Sequence, residues 1–164
     1  MKTKNDHLPL YGVGPIYGGV VAALTIAGIF IGRLPALSGG KLTTFRIPLL
    51  VLGIALIALG IFIWVQSVFV SKIDDGIKEN RLVTSGIYAW VRNPIYSAIL
   101  IVCTGVLLIV GNAWLFLLPP LYWLFLTVLM KHTEERWLRD LYGADYESYC
   151  KQVNRCIPWF PKGV

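Results

Sequence analysis

Ionisable residues are scarce in this chain and missing from long stretches of it. Only 15% of the 164 residues are charged, whereas 56% are hydrophobic, and the mean hydropathy is +0.66. Such a composition leaves too little polar surface to cover a water-soluble globule of this size, so it predicts an integral membrane protein. Four runs contain no Asp, Glu, Lys or Arg: about 15 to 32, 47 to 70, 94 to 110 and 112 to 130. Their lack of charge disfavours an ion channel or a proton-coupled transporter, because such proteins place ionisable groups inside the membrane.

Metal ligands and nucleotide-binding motifs are also few. There are two histidines and three cysteines, Cys103, Cys150 and Cys156, and the cysteines lack the short paired spacing of a zinc site. We therefore expect no metal, and cysteines that are structural residues on a reducing side. Gly12 and Gly14 form a lone pair that no strand precedes, so no Rossmann domain is predicted. Nucleic-acid binding is disfavoured because no basic cluster is interleaved with exposed aromatic residues on a soluble module.

The four apolar runs predict an all-α integral membrane protein with about four transmembrane helices. Crossing the hydrocarbon takes roughly 20 residues, with a range of about 17 to 25, and each run falls in or near it. The predicted organisation is an N-terminal segment, 1–70, with two helices, and a catalytic region, 71–164, with a loop, two helices and a tail, in one structural domain. Gly53 and Gly60 predict close helix packing. Pro119 and Pro120 lie inside the fourth run and predict a kink.

The basic residues predict the orientation in the membrane. With four spans, the N-terminus, the loop 71–93 and the tail share one side. That side carries Lys2, Lys4, Lys72, Lys78, Arg81, Arg92, Lys131, Arg136, Arg139, Lys151, Arg155 and Lys162. The other side has only Arg33, Lys41 and Arg46, so both termini are predicted to be cytoplasmic. The first run lacks a small-residue cleavage pattern after it, and we expect a retained helix there.

The start of the third run is a predicted anion receptor. Asn93 is placed as the helix cap and Pro94 as the first helical residue, so free backbone amides and the positive helix end face the cytoplasmic headgroups. Arg92 stands beside them, and this combination favours a carboxylate or phosphate. An ordinary helix start with a snorkelling arginine is the alternative.

Two adjacent carboxylates, Glu134 and Glu135, follow the fourth run. They should lie on the same side of the membrane as the start of the third run, and we expect the two places to meet there and form a single polar pocket. Side chains of neighbouring helical residues point in different directions, so we expect at least one of these carboxylates to accept hydrogen bonds from a ligand. The i, i+4 spacing predicts that Glu135 pairs with Arg139. The same spacing predicts a pair between Arg136 and Asp140.

The tail after these carboxylates is predicted to be helical and amphipathic. Gly143 is a predicted helix stop. A second short helix should follow, with Tyr146, Tyr149, Cys150 and Val153 on one face. We expect this cytoplasmic tail to fold back along the membrane surface over the loop 71–93.

The second half of the chain resembles a known family of enzymes. The residues concerned are Thr84-Ser85-Gly86-Ile87-Tyr88-Ala89-Trp90-Val91-Arg92-Asn93-Pro94-x-Tyr96, then Glu134-Glu135, then Leu141-Tyr142-Gly143-x-x-Tyr146-x-x-Tyr149 and Pro158. In this order and spacing they resemble the isoprenylcysteine carboxyl methyltransferases and the related phospholipid N-methyltransferases. The resemblance covers about residues 80 to 163, while the first half is similar only in having two apolar segments.

The resemblance implies an S-adenosylmethionine site of the membrane type. The cofactor-binding residues that it implies are Asn80, Arg81, Leu82, Val83, Tyr88, Asn93, Pro94, Ile95, Tyr96 and Glu134. We predict Arg92 and Glu135 as catalytic residues, with Glu135 a base only for an amine substrate, and Met130 and Lys131 as substrate contacts. The family commonly has histidine where this chain has Asn93, which cannot titrate. Its prenylcysteine members have arginine where this chain has Met130.

The favoured reaction is carboxyl O-methylation of a prenylcysteine-like group on a lipophilic substrate that enters from the bilayer, with membrane lipids as the other partners. A carboxylate with a pKa of about 3.3 to 3.7 is ionised at neutral pH, so no general base is required and the protein's task is positioning. Methylation of a phospholipid, a small thiol or an amine is one alternative. An NADPH-dependent sterol-type reductase and a non-catalytic membrane scaffold are alternatives of other classes.

Overall fold

Helices account for nearly all the regular structure of the protein. A computed structural model describes residues 12–71, 76 and 81–161. Its helices are α1 (Gly14–Ile31), α2 (Arg46–Val65, continued by a π-helical turn over Gln66–Val70), α3 (Pro94–Val110), α4 (Leu118–His132, preceded by a 3-10 turn over Ala113–Leu117) and α5 (Glu134–Gln152). Among the described residues there is no β-strand, only isolated bridges. The predicted all-α class is confirmed.

Three stretches are long and apolar enough to cross a membrane. They are Gly14–Ile31, Arg46–Val70 and Ala113–His132. Helix α3 is also apolar but is shorter, with 17 residues. Large apolar side chains on α2 remain exposed, including Ile47 at 74% and Val51 at 61%. An exposed apolar surface of this extent requires lipid around it. The chain is an integral membrane protein, as the composition predicts.

Glycine allows α2 and α3 to pack with their backbones in close contact. A Cβ atom added to Gly53 would lie 2.6 Å from the carbonyl oxygen of Gly105, and one added to Gly60 would lie 3.0 Å from that of Ala98. In lipid, helices associate through such close packing because the solvent supplies no hydrophobic drive. The predicted packing role of Gly53 and Gly60 is confirmed.

The interior between α1, α3 and α4 is a packed apolar cluster. Tyr17, Val21, Leu107, Leu126 and Met130 are fully buried in it. Its main polar link between helices is the hydroxyl pair of Thr25 and Tyr122, 3.0 Å apart. Buried polar groups need such partners because an unpaired hydroxyl in an apolar medium is costly.

The kink predicted at Pro119 and Pro120 is wrong. Both prolines lie in the first turn of α4, directly after the 3-10 turn. The side chain of Asn112 caps that turn by accepting a hydrogen bond from the Trp114 amide at 3.1 Å. The fourth apolar run therefore consists of a 3-10 turn followed by an α-helix. The prolines occupy the start of this α-helix, where a missing N–H removes no helical hydrogen bond.

The tail has the predicted break and the predicted buried face. Gly143 has φ 52° and ψ −123° within α5, a conformation that interrupts the helix. Beyond it, Tyr146, Tyr149 and Val153 are buried together, and Cys150 packs against them. The tail is therefore two short helices with an apolar face turned to the rest of the protein.

The ion pairs predicted along α5 are wrong. Arg139 pairs with Glu147 at 3.7 Å, and Arg136 is hydrogen-bonded to His132 Nδ1 at 3.2 Å. The break at Gly143 allows Arg139 to pair with Glu147 from beyond it, whereas Arg136 bonds to His132, one helical turn earlier. Glu135 instead pairs with arginines from outside α5.

Candidate functional site

The start of α3 is held by the C-terminal segment of the chain. The amide of Arg92 donates to the carbonyl of Asn154 at 2.8 Å, and the amide of Asn93 donates to that of Arg155 at 3.2 Å. The Asn93 side chain makes no cap; its Nδ2 donates to the Arg155 carbonyl at 3.0 Å. The predicted positions of Asn93 as the N-cap residue and Pro94 as the first helical residue are confirmed. The side chain of Asn93 does not cap the helix, because the neighbouring C-terminal segment provides its partner. The first-turn amides of Ile95 and Tyr96 have no carbonyl one turn earlier in the helix.

Glu134 joins three separate segments at this end of the bundle. Its Oε1 accepts a hydrogen bond from the Tyr96 hydroxyl at 2.5 Å and another from the Val13 amide at 2.8 Å. These bonds bring together the first turn of α3, the first residue of α5 and the start of α1. The prediction that the start of the third apolar run and the Glu134-Glu135 pair meet is confirmed. The binding roles of these residues stay predictions.

Gly12 leaves the space that the Glu134 side chain occupies. This role of Gly12 was not predicted from the sequence. A Cβ atom on Gly12 would overlap Glu134 Oε1 and lie 2.8 Å from its Cδ. Gly12 also has φ 47°, a left-handed conformation that favours glycine. The available signal was a glycine pair directly before the first apolar run, on the side predicted for Glu134. In the sequence, the spacing of this glycine pair was considered only as a possible nucleotide-binding loop.

The environment of Glu134 suits a cationic ligand. Burial raises the pKa of its carboxyl, while the hydrogen bonds from Tyr96 and Val13 act in the opposite direction. In the part of the chain that the structure describes, no Lys, Arg or His forms an ion pair with it. A carboxylate that is desolvated without a cationic partner gains stability when a cation approaches.

Glu135 is the centre of a buried ion-pair cluster. It is 4% exposed; its Oε1 accepts from Arg155 Nε at 2.5 Å and its Oε2 from Arg155 Nη2 at 3.1 Å. Arg92 Nη1 lies 3.4 Å from the same Oε1, and the bond with Glu135 raises the pKa of Arg155. Two guanidinium groups thus neutralise Glu135 and fix the tail against α3. Its predicted catalytic role stays a prediction, and Arg155 is a residue of the cluster that the sequence analysis did not single out.

One buried hydrogen-bond donor of Arg92 has no partner among the described residues of this cluster. Its Nη1 donates to the Tyr146 hydroxyl at 3.5 Å and to the Cys150 sulfur, and its side chain is 8% exposed. Its Nε is buried and has no hydrogen-bond partner among the described residues. An unpaired buried donor of a cationic group is costly, and an anionic ligand would satisfy it.

The other predicted cofactor residues surround this end unevenly. Tyr88 is buried; its hydroxyl is 2.9 Å from Ser67 Oγ, and its carbonyl accepts from the Tyr149 hydroxyl at 2.5 Å. Leu82 packs against the buried tyrosines of the tail. Among the others, Arg81 is exposed, Pro94 is buried, and Val83 and Ile95 are half-buried. Asn80 lies outside the described residues.

The two predicted substrate contacts differ in location. Met130 is fully buried in the same cluster as Tyr96, whereas Lys131 is exposed at the end of α4. Met130 therefore forms part of the packed wall beneath the site. Their substrate roles stay predictions. The described residues contain no group of three or more His, Cys, Asp or Glu side chains that would hold a metal ion.

Comparisons with known proteins show which proteins the chain resembles. A family model described as phospholipid methyltransferase matches residues 48–145. The chain is 40% identical over 85 residues to the protein-S-isoprenylcysteine O-methyltransferase of Schizosaccharomyces pombe, covering 51% of this chain and 36% of that protein. It is 30% identical over 82 residues to a probable protein-S-isoprenylcysteine O-methyltransferase of Oryza sativa, covering 49% and 42%.

A third relative is named for a different activity. Methanethiol S-methyltransferase 1 of Bradyrhizobium diazoefficiens is 30% identical over 79 residues, covering 48% of this chain and 27% of that protein. The matched segment thus spans less than half the length of each of these three relatives. No solved structure matches the chain. The family model covers more than half of the chain, from α2 to the first half of α5 with Tyr96 and Glu134 inside it, and the chain therefore belongs to the phospholipid methyltransferase family.

Proposed function

We propose that this protein transfers a methyl group from S-adenosylmethionine to a lipophilic substrate, most favourably to the carboxylate of a prenylcysteine-like molecule. The observation that carries the proposal is the junction of Tyr96, Val13 and Glu134, next in sequence to Glu135, which pairs with the buried side chain of Arg92. Family membership supports methyl transfer as the reaction class. The names of the Schizosaccharomyces and Oryza relatives support the acceptor class.

The charged groups of the site fit the charges of this cofactor. S-adenosylmethionine has a sulfonium and an ammonium group, and Glu134 is a desolvated carboxylate without a cationic partner among the described residues. It also has a carboxylate, and the Arg92 Nε is a buried donor without a partner in the same part of the chain. When bound, the cofactor supplies an activated methyl group. Glu134 and Arg92 would hold its opposite charges and so fix its orientation.

A carboxylate acceptor fits the state of the acidic residues. It is already ionised at neutral pH, so the protein need not remove a proton from it. Glu135, which would be the base for an amine, is neutralised by Arg92 and Arg155. The protein then acts by aligning the two reactants and excluding water, and alignment alone can lower the barrier by several kcal/mol.

The contacts at the site support one orientation in the membrane. Residues 12–13, the segment 88–96 and the tail are in direct contact at one end of the bundle. We propose that α3 also crosses the bilayer, which gives four spans. We further propose that this end is cytoplasmic, because most basic residues of the described polar segments belong to it. Segments 1–70 and 71–164 then form one structural domain, with the tail covering the loop that precedes α3.

Methyl transfer can be measured with the purified full chain in detergent. The protein is incubated with methyl-labelled S-adenosylmethionine and a panel of acceptors: a farnesylated cysteine, phosphatidylethanolamine and a small thiol. We expect label in the farnesylated cysteine and a large loss of both cofactor binding and transfer in Glu134→Ala. Glu147→Ala is the matched control, since Glu147 is an exposed carboxylate of α5 that pairs only with Arg139 in the described chain.

Each alternative outcome has a distinct meaning. Label in the thiol alone would replace the acceptor with that of the Bradyrhizobium relative, and label in phosphatidylethanolamine alone would assign a phospholipid methyltransferase. Binding of NADPH without binding of S-adenosylmethionine would assign the reductase alternative. Binding of neither would leave a scaffold, and unchanged transfer in Glu134→Ala would remove Glu134 from the site.

A further inference from the structure

A cavity lies at the opposite end of the helix bundle from the candidate site. Its volume is about 420 Å³, and it is bounded by the end of α1, the segment between α1 and α2, the start of α2 and the end of α3. Three basic residues line it, Arg33, Lys41 and Arg46, together with apolar residues that include Leu49 and Ile109. The cavity therefore combines positive charge with an apolar wall.

The described residues that line this cavity include no acidic group to neutralise these three cations. No Asp or Glu occurs in residues 12–71 or 81–133, which contain α1 to α4 and their described connections. All three basic residues are exposed, and none belongs to an ion pair found within the described part of the structure. Among the described residues nothing supplies a counter-charge for this cavity, so its positive charge would attract an anion from outside the protein.

Hydrogen bonds hold the walls of the cavity in place. Asn112 is 1% exposed, and its Nδ2 donates to the carbonyls of Gly32 and Leu37, both at 3.1 Å. The Leu42 amide donates to the Gly111 carbonyl at 2.8 Å. These bonds fix the segment between α1 and α2 against the end of α3, so the basic residues are carried by a preorganised backbone.

The position of the cavity selects the kind of anion. It lies where three apolar helices begin or end, which is the depth of the lipid headgroups in a membrane. We propose that it binds the phosphate of an anionic phospholipid, with Arg33, Lys41 and Arg46 as the cationic contacts and the walls of α2 and α3 beside the acyl chains. A soluble anion would use the cations but not the apolar wall. The site is separate from the proposed methyl-transfer site and does not depend on it.

Lipid retention by the full chain tests this proposal. The protein is prepared in micelles that contain phosphatidylglycerol and phosphatidylcholine, and the lipids bound to it are measured by native mass spectrometry. The triple variant Arg33→Gln, Lys41→Gln, Arg46→Gln is compared with a control that loses three cations of the tail. The control is Arg136→Gln, Arg139→Gln, Lys151→Gln.

The expected result is a selective loss in the first variant. Since each cation near a lipid surface contributes roughly fivefold, its affinity for phosphatidylglycerol should fall by about 100-fold, while the control stays near the wild type. Circular dichroism checks that each variant is folded. If the triple variant is not, Lys41→Gln alone should bind about fivefold more weakly.

Three results would overturn the proposal. One is wild-type retention of phosphatidylglycerol in the folded triple variant, or in Lys41→Gln if only that variant folds. Another is an equal loss in the control, which would mean that the lipid responds to total charge rather than to this cavity. The third is an increase in melting temperature with inorganic phosphate, in micelles of phosphatidylcholine alone, that matches the increase with phosphatidylglycerol. That result would assign a soluble anion instead.

Discussion

Replacing Gly12 with alanine should weaken the junction between the start of α1 and the candidate site. The new Cβ would overlap Glu134 Oε1, and the backbone at φ 47° would become strained. The strain costs about 1 to 2 kcal/mol, and displacing Glu134 from the Val13 amide removes a hydrogen bond to a charged group that contributes about 1.5 to 3 kcal/mol. We therefore expect a loss of about 3 kcal/mol in the free energy of unfolding.

Two glycine controls separate the causes of this loss. Gly143 has a similar φ of 52° but nothing within 4 Å of an added Cβ, so Gly143→Ala reports the backbone strain alone. Gly19 lies within α1 with equally open space, so Gly19→Ala should be neutral or stabilising by up to about 1 kcal/mol.

The assay is reversible unfolding in mixed micelles of detergent and sodium dodecyl sulfate, followed by circular dichroism. Affinity for S-adenosylmethionine is measured on the same preparations, and it should fall in Gly12→Ala but not in Gly19→Ala. Equal destabilisation by Gly12→Ala and Gly143→Ala, with cofactor affinity unchanged, would refute the inferred contact between Gly12 and Glu134.

Three further predictions concern other parts of the fold. Burial raises the pKa of Glu134 in the folded state. The wild type should therefore be most stable relative to Glu134→Gln below the pKa of the unfolded state, and it should lose that advantage as the pH rises through the pKa of the folded state. Unfolding measured at a series of pH values checks this, and a stability difference that does not depend on pH would contradict it. Glu135→Ala leaves the 8% exposed side chain of Arg92 without its carboxylate and should cost about 3 to 5 kcal/mol in the same assay, so a cost below about 1 kcal/mol would exclude the buried cluster. Gly53→Ala places a Cβ 2.6 Å from an α3 carbonyl and should cost about 1 to 3 kcal/mol, whereas Gly39→Ala, in open space, should be close to neutral.

Composition and apolar periodicity were sufficient to predict the helical class and the approximate limits of the helices. The predicted run 47 to 70 corresponds to Arg46–Val70, and the run 94 to 110 to α3. Lengths of this kind are local, because a hydrocarbon layer about 30 Å thick requires a fixed number of helical residues whatever their neighbours are. Gly143 was likewise identified as a break, since a residue with positive φ is locally favoured as glycine.

The partners of individual side chains could not be predicted in the same way. Spacing along one helix paired Glu135 with Arg139, whereas the fold pairs Glu135 with Arg92 and Arg155. The prolines of the fourth run fell at a helix start because Asn112 organises a separate turn before it. Contacts between residues distant in sequence depend on how the elements pack, and several local arrangements of similar energy compete for each polar group.

The sequence by itself therefore determined that this is a helical membrane protein, and that the start of the third apolar run and the carboxylates after the fourth run lie together at one end of the helix bundle. The tertiary structure alone decided which groups each of the two carboxylates contacts. It placed Glu134 with Tyr96 and Val13, without a cationic partner among the described residues, and enclosed Glu135 between two arginines. The physical reason is that adjacent helical side chains point in different directions, and only the packing of α1 and of the C-terminal segment sets which groups each one meets.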